Sequence, residues 1–252
     1  MAVVYGVNPV LEALKSGTVE GLVIAEGRGG APLKRLLKLA EDKGIEVIFR
    51  EKGYLDRLTG KAVHQGVLCF CPEFSYVAVD DIIRRRADSY KDNLILLLDS
   101  VTDPQNLGSL IRTAHCFDVN GLIIPEKRAV SVTSAVVKAS AGLARRTPIA
   151  RVTNLAQAIE FLKEQGFWVY GAVAGSGEDI REVDFRGNIG LVMGSEGKGI
   201  RPLIREKCDF LVSIPMGSGV DSLNVSVAAG IILFDIYRKR DRVTPRSTDK
   251  NI

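Results

Sequence analysis

The chain has 252 residues, 46% apolar and 25% charged, with a formal net charge of +4. This is ordinary for a folded globular protein and excludes wholesale disorder. No apolar run approaches the ~18–20 residues of a membrane span, and the length allows one large domain or two modest ones. The opening Met1-Ala2-Val3-Val4-Tyr5-Gly6 has no positive stretch leading into a long apolar core, so a cytoplasmic protein without a secretory signal is expected. The small cationic excess suits a nucleic-acid partner without requiring one. It gathers at Arg84-Arg85-Arg86, Arg145-Arg146 and Arg238-Lys239-Arg240, where solvated helix ends are the simpler account. Four cysteines and two histidines, His64 and His115, show no zinc-ligand spacing. Reduced, mostly buried thiols and no metal are expected.

In chain order, Asn8-Pro9 reads as a helix start, with Asn as N-cap and Pro at the first helical position, and Ser16-Gly17 as its end. Leu22–Ala25 is a strand. Leu33, Leu36, Leu37 and Ala40 share one face of a helix running to Lys43. Glu46–Phe49 is the next strand, Tyr54–Leu58 a short helix, and His64-Gln65-Gly66 a turn into the strand Val67–Phe70. After a connection from Pro72 to Ala78, a helix is predicted over Val79–Ala87, its arginines near the C-terminus where cations are favoured.

A second unit starts near Asn93. Leu94–Leu98 is almost wholly apolar, as a strand covered on both faces requires. Further strands are predicted at Leu122–Ile124, Ile149–Val152, Phe167–Ala172, Gly190–Met193 and Phe210–Ile214, with helices between them, including Asn154–Gln165 and Val225–Arg238. The pattern is a parallel α/β sheet with helices on both faces, in which ligands bind beyond the carboxyl ends of the strands. Residues 241–252 read as a polar, disordered tail.

Three segments at such strand ends carry polar side chains that a plain core does not need. In Asp103-Pro104-Gln105-Asn106-Leu107-Gly108, Asp-Pro enforces a turn and Asn106 is placed to cap the following helix, which capping alone would explain. Arg112 lies two turns into that helix beside Leu110, Ile111 and Ala114. Gly194-Ser195-Glu196-Gly197-Lys198-Gly199 implies close backbone approach to something, yet matches neither a Walker loop nor Gly-x-Gly-x-x-Gly. A nucleoside triphosphate or a dinucleotide held in the usual way is therefore disfavoured. Ile214-Pro215-Met216-Gly217 leads to Ser222-Leu223-Asn224, which opens the last helix; Ser222 or Asn224 can cap it, and Ile214 and Met216 offer surface on which a purine could lie.

In this order the three segments resemble the signature motifs of the SpoU family of RNA ribose 2′-O-methyltransferases, over about Asn93–Arg240. The resemblance implies a C-terminal trefoil knot that holds S-adenosylmethionine, which nothing in the periodicity shows. It implies that Asn106, Arg112, Glu196, Ser222 and Asn224 form the catalytic set, with Arg112 reaching in from the other subunit of a homodimer. It also implies that Gly194, Ile214, Met216 and Leu223 hold the cofactor, with Ala174 and Gly175 of Ala172-Val173-Ala174-Gly175 on its ribose side. Tyr5–Leu14 and His64-Gln65-Gly66-Val67 resemble the small RNA-binding domain of the branch that includes 23S ribosomal RNA guanosine-2′-O-methyltransferases. His64, Gln65 and Arg145 are accordingly assigned to RNA.

The expected organisation is thus a small N-terminal α/β RNA-binding domain (1–75), a linker (76–92), a parallel-sheet α/β/α methyltransferase domain (93–240) and the tail (241–252). Its expected partners are 23S rRNA or a ribosome-assembly intermediate, with no membrane and no metal. Competing readings are the same chemistry on transfer RNA or another rRNA nucleotide, a non-catalytic RNA-binding assembly factor, and a small-molecule nucleotide enzyme. The intact polar set argues against the second, and the missing phosphate-loop patterns against the third.

Overall fold

The computed structural model describes residues 1–17, 19–85, 90–217 and 222–240. The expected tail, and the predicted helical end at Ala87, lie outside them. The elements run β1 (Ala2–Tyr5), α1 (Val7–Ser16), β2 (Gly21–Ala25), α2 (Ala31–Asp42), β3 (Val47–Arg50), α3 (Lys52–Thr59) and β4 (Val67–Cys71). They form a four-stranded sheet ordered β1-β4-β2-β3, parallel only between β2 and β3.

After α4 (Val79–Arg84) come β5 (Leu94–Leu98), α5 (Pro104–Cys116), β6 (Gly121–Pro125) and α6 (Ser134–Ala139). Then follow β7 (Ile149–Val152), α7 (Leu155–Glu164), β8 (Phe167–Ala172), the two-residue β9 (Glu178–Asp179) and β10 (Asn188–Met193). The chain closes with α8 (Pro202–Lys207), β11 (Phe210–Ser213) and α9 (Val225–Lys239). This second sheet, β7-β6-β5-β10-β8-β11-β9, is parallel at every pairing among the described residues. Its strands are apolar because both faces are covered: Leu94, Leu96 and Leu98 point to one core, Ile95 and Leu97 to the other.

The first of those cores runs on into the smaller sheet, joining Val4, Val10, Leu14 and Leu22 to Leu110, Leu122 and Ile149. The two sheets meet across α6, which packs on α5 and on β1. Polar contacts tie the same seam. Lys138 Nζ donates to the Val63 carbonyl at 3.1 Å, Arg146 reaches Glu12 at 3.4 Å, and the Val132 N–H donates to the Tyr76 hydroxyl oxygen at 2.9 Å.

Local starts differ from the sequence reading in instructive ways. Helix α1 begins at Val7, not at an Asn8 cap. Gly6, at φ 93°, turns the chain, and Gln65 Oε1 accepts the Val7 N–H at 3.0 Å. Helix α4 stops at Arg84 because Arg85 is extended. Asp103, not Asn106, caps α5: its Oδ2 accepts the Asn106 N–H at 2.8 Å, with Pro104 at the first helical position.

Candidate active site

With Asp103 serving as the cap, the Asn106 side chain is available for other work. Its Nδ2 donates to Glu196 Oε1 at 3.1 Å, and its Oδ1 accepts from Asn224 Nδ2 at 3.1 Å. Asn224 Nδ2 also contacts Glu196 Oε1, while Asn224 Oδ1 accepts the Ser226 N–H at 2.9 Å and so caps α9. Three residues from the first turn of α5, the loop after β10 and the start of α9 thus close one hydrogen-bonded ring around a carboxylate, as the sequence reading placed them together. Ser222 lies at the rim, exposed. Arg112 stands apart, exposed on α5 with no ion pair among the described residues. Cys116 is also exposed on α5, and the packed helix α9 carries the exposed apolar residues Val227, Ile231 and Phe234.

Glu196 forms part of the wall of a cavity of about 310 Å³ at the carboxyl ends of β8, β10 and β11, a size at the small end of the ~300–1,000 Å³ typical of ligand sites. Ala174, Gly194, Ile214, Met216 and Leu223 line it, with Met193 and Ile232 behind them. Gly175 does not; it turns the chain beside Ala174 at φ 70°. The charged groups of the lining are Glu196, Lys198 and Arg205, the last donating to Ser176 Oγ at 3.1 Å. Apolar and thioether walls with an acid and two cations at the mouth suit a ligand with a flat heterocycle at one end and a zwitterion at the other.

Two glycines account for the wording of the motifs. At Gly194 a Cβ would lie 2.1 Å from the Gly199 carbonyl carbon, so the hairpin closed by Ser195 and Gly199 admits no side chain. At Gly108 a Cβ would lie 2.3 Å from Ala139 Cβ, so only glycine lets α6 pack this closely on α5.

Sequence reasoning missed the group that anchors the far end of that hairpin. Asp99, fully buried at the end of β5, accepts the Arg201 backbone N–H at 2.8 Å on Oδ2 and Arg201 Nε at 2.7 Å on Oδ1. Arg201 follows the loop 194–200, so this carboxylate holds the loop, and Glu196 with it, to the end of β5. Asp99→Asn keeps the shape but turns an amide against one of those donors. Hydrogen bonds to charged groups contribute about 1.5–3 kcal/mol, so cofactor affinity should fall by about ten-fold or more. Calorimetric titration with adenosylmethionine checks this; unchanged affinity in a folded variant would show that the loop is held by other contacts.

The residues assigned to RNA lie elsewhere, along the seam. His64 is corrected. It is buried, its Nδ1 accepts the Gly66 N–H at 3.0 Å, and its Nε2 therefore donates to Asp56 Oδ1 at 2.9 Å. Both ring nitrogens are spent holding the turn, and none is left for RNA. Gln65 is exposed but uses its carbonyl on α1, whereas Arg145 is half-buried at the seam. Among the described residues, no three His, Cys, Asp or Glu side chains gather as a metal site, and no helix is long and apolar enough to cross a membrane.

Comparison with known proteins agrees with this geometry. Residues 93–234 match the SpoU rRNA Methylase family and residues 3–77 match the RNA 2′-O ribose methyltransferase substrate binding family. The chain is 42% identical over 242 residues to the provisionally named TrmH family tRNA/rRNA methyltransferase YacO of Bacillus subtilis (strain 168), covering 95% of this chain and 96% of that protein. It superposes on the SpoU methyltransferase AviRb from Streptomyces viridochromogenes, solved in complex with the cofactor AdoMet. The TM-score is 0.78 at 26% identity, covering 94% of this chain and 89% of that one. The TrmH/SpoU tRNA modifying enzyme of A. aeolicus matches less of it, at a TM-score of 0.53 and 29% identity, covering 63% of this chain and 79% of that one. A hydrogen-bonded Asn–Glu–Asn ring beside a glycine-built cavity, on a chain matched nearly end to end, places this protein in the SpoU methylase family.

Proposed function

We propose that this chain transfers a methyl group from S-adenosylmethionine to the ribose 2′-hydroxyl of a guanosine in large-subunit (23S) ribosomal RNA, acting in the cytoplasm as a homodimer. Membership of the family makes it an adenosylmethionine-dependent RNA methyltransferase. The observation that supports methyl transfer at this place is the ring of Asn106, Glu196 and Asn224, whose Glu196 lines the cavity. Ala174, Gly194, Ile214, Met216 and Leu223 would hold the cofactor, with Gly175 shaping the turn beside it. When bound, that group supplies an electrophilic methyl on a sulfonium sulfur.

A ribose hydroxyl is a poor nucleophile and must shed its proton as it attacks. A guanidinium is a permanent cation with five donors. Arg112 either takes that proton, which requires a strongly perturbed guanidinium, or binds the adjacent phosphate and stabilises developing alkoxide charge while the proton passes to water. Asn106 and Glu196 orient the ribose, while Ser222 and Asn224 shape the loop and meet the substrate. The exposed stripe Val227, Ile231 and Phe234 on α9, the helix packed against the one that carries Arg112, supports a two-fold interface that brings one subunit's Arg112 to its partner's cavity. The trefoil knot implied by the motifs, and residues 1–75 as the substrate-recruiting unit on a linker at 76–92, belong to the same proposal.

The ribosomal substrate is favoured because a substrate-binding match spans residues 3–77, whereas the likeness to the A. aeolicus tRNA enzyme covers a smaller share of the chain. Methylation of transfer RNA is the second reading, since the relative YacO is named for both substrates. Labelled methyl transfer to undermodified large-subunit rRNA and, separately, to bulk transfer RNA, followed by nucleoside analysis, decides between them. 2′-O-methylguanosine in the rRNA alone is expected; label in transfer RNA alone would overturn the substrate, and label in neither the activity.

A further inference from the structure

Where the two sheets meet there is a second cavity, of about 220 Å³, lined by Arg145, Arg151, Tyr76, Glu73 and the hydroxyl residues Ser131, Thr133 and Ser134. The geometry points to this seam cavity as a phosphate subsite for the RNA backbone, with Arg145 and Arg151 as its cations. The inference rests on the RNA-methylating reading and adds to it the place where the strand is gripped.

Arg145 is half-buried yet has no carboxylate partner among the described residues. Its Nε is buried with no acceptor there, and its Nη1 makes only a long 3.4 Å contact to the Pro72 carbonyl. Nearby, Cys69 and Cys71 lie with their sulfurs 3.6 Å apart; their mutual hydrogen bond and burial hold the Cys69 thiol well above its usual range, so it stays neutral and supplies no counter-charge. Withdrawing a cation from water without a partner is unfavourable, and a phosphate oxygen would supply the acceptor that is missing.

Arg151 lies 5.5 Å from the Tyr76 ring centroid, which holds the guanidinium by its flat face, and it too makes no ion pair among the described residues. The hydroxyls of Ser131, Thr133 and Ser134 are further donors with no hydrogen bond there. Glu73 is the one carboxylate of the lining, and it is exposed. Paired arginine forks with hydroxyl donors match a phosphodiester better than a base edge.

The location fits as well. Arg151 is at the carboxyl end of β7, the same sheet edge as the candidate active site. The loop leading into the cavity carries exposed Lys127 and Arg128 and is tied to the Asp103 segment through the Val130 N–H on the Val101 carbonyl at 3.0 Å. A strand entering at the seam would therefore run past two more cations toward Arg112.

The test is RNA binding by the full-length protein, followed by fluorescence anisotropy across roughly 50–200 mM salt, with an rRNA fragment, bulk transfer RNA and an unstructured oligonucleotide as probes. Arg145→Ala and Arg151→Ala should each weaken all three probes alike and lower the slope of log affinity against log salt by about 1. Arg145→Gln, which keeps much of the side chain's bulk but not its charge, should do the same. Glu73→Gln should tighten binding, which a merely structural latch would not do. Adenosylmethionine affinity and thermal midpoint should not change. Wild-type slopes in both arginine variants, with RNA still bound, would overturn the subsite alone, as would loss confined to one probe. Failure of the unaltered protein to bind any of the three would overturn the RNA reading beneath it.

Discussion

Replacing Arg112 with alanine should cut methyl transfer by about 10²–10³-fold, the usual effect of losing one preorganised charge stabiliser, while leaving cofactor affinity unchanged. The split follows from placement. Arg112 is absent from the lining of the cavity that would hold adenosylmethionine and from the Asn106–Glu196–Asn224 ring, and it is exposed on α5 with no ion pair among the described residues. Its removal leaves no cavity in a core and no buried orphan, so the fold should be untouched. Single-turnover transfer alongside calorimetric cofactor titration measures both halves. Turnover near that of the unaltered chain would remove Arg112 from the mechanism.

Gly194→Ala should produce the complementary defect. The added methyl would sit 2.1 Å from the Gly199 carbonyl carbon and 2.3 Å from the Ile200 nitrogen, both backbone atoms that cannot rotate away. The hairpin must open by about 1 Å to reach ordinary contact. Strain of this kind typically costs about 1–3 kcal/mol, or about 5- to 150-fold in cofactor affinity. Wild-type affinity in this variant would mean that the 194–200 loop is not part of the cofactor site.

Together the two variants test the dimer. If Arg112 serves the partner's cavity, an Arg112→Ala subunit paired with a Gly194→Ala subunit regains one complete site. With random pairing of a two-fold dimer, activity should return to about a quarter of normal. If Arg112 serves its own chain's cavity, the mixture stays inactive.

Much of the architecture was legible because the strands of a doubly covered sheet are continuous apolar runs; Leu94–Leu98 could hardly be anything else. The polar ring was legible in composition but ambiguous in role. An asparagine after Asp-Pro reads first as a cap and only second as a ligand, and the observed Asp103 cap frees its side chain from the first role. Asp99 and Arg201 were invisible as a pair because 102 residues separate them, and no local pattern marks a carboxylate whose partner comes from a distant loop. His64 failed in the opposite sense. Its turn is plain in the sequence, but the Asp56 that occupies its ring comes from the middle of the preceding helix, α3.

The ring has a consequence for how the enzyme comes to be active. Asn106 is 90 residues from Glu196 and 118 from Asn224, so no local stretch of chain can assemble the whole ring, although Glu196 and Asn224 are only 28 apart. Contacts of such long range form late, since loop-closure entropy must be overcome first. The three groups meet only where the first turn of α5, the loop after β10 and the opening turn of α9 are all docked on the same sheet.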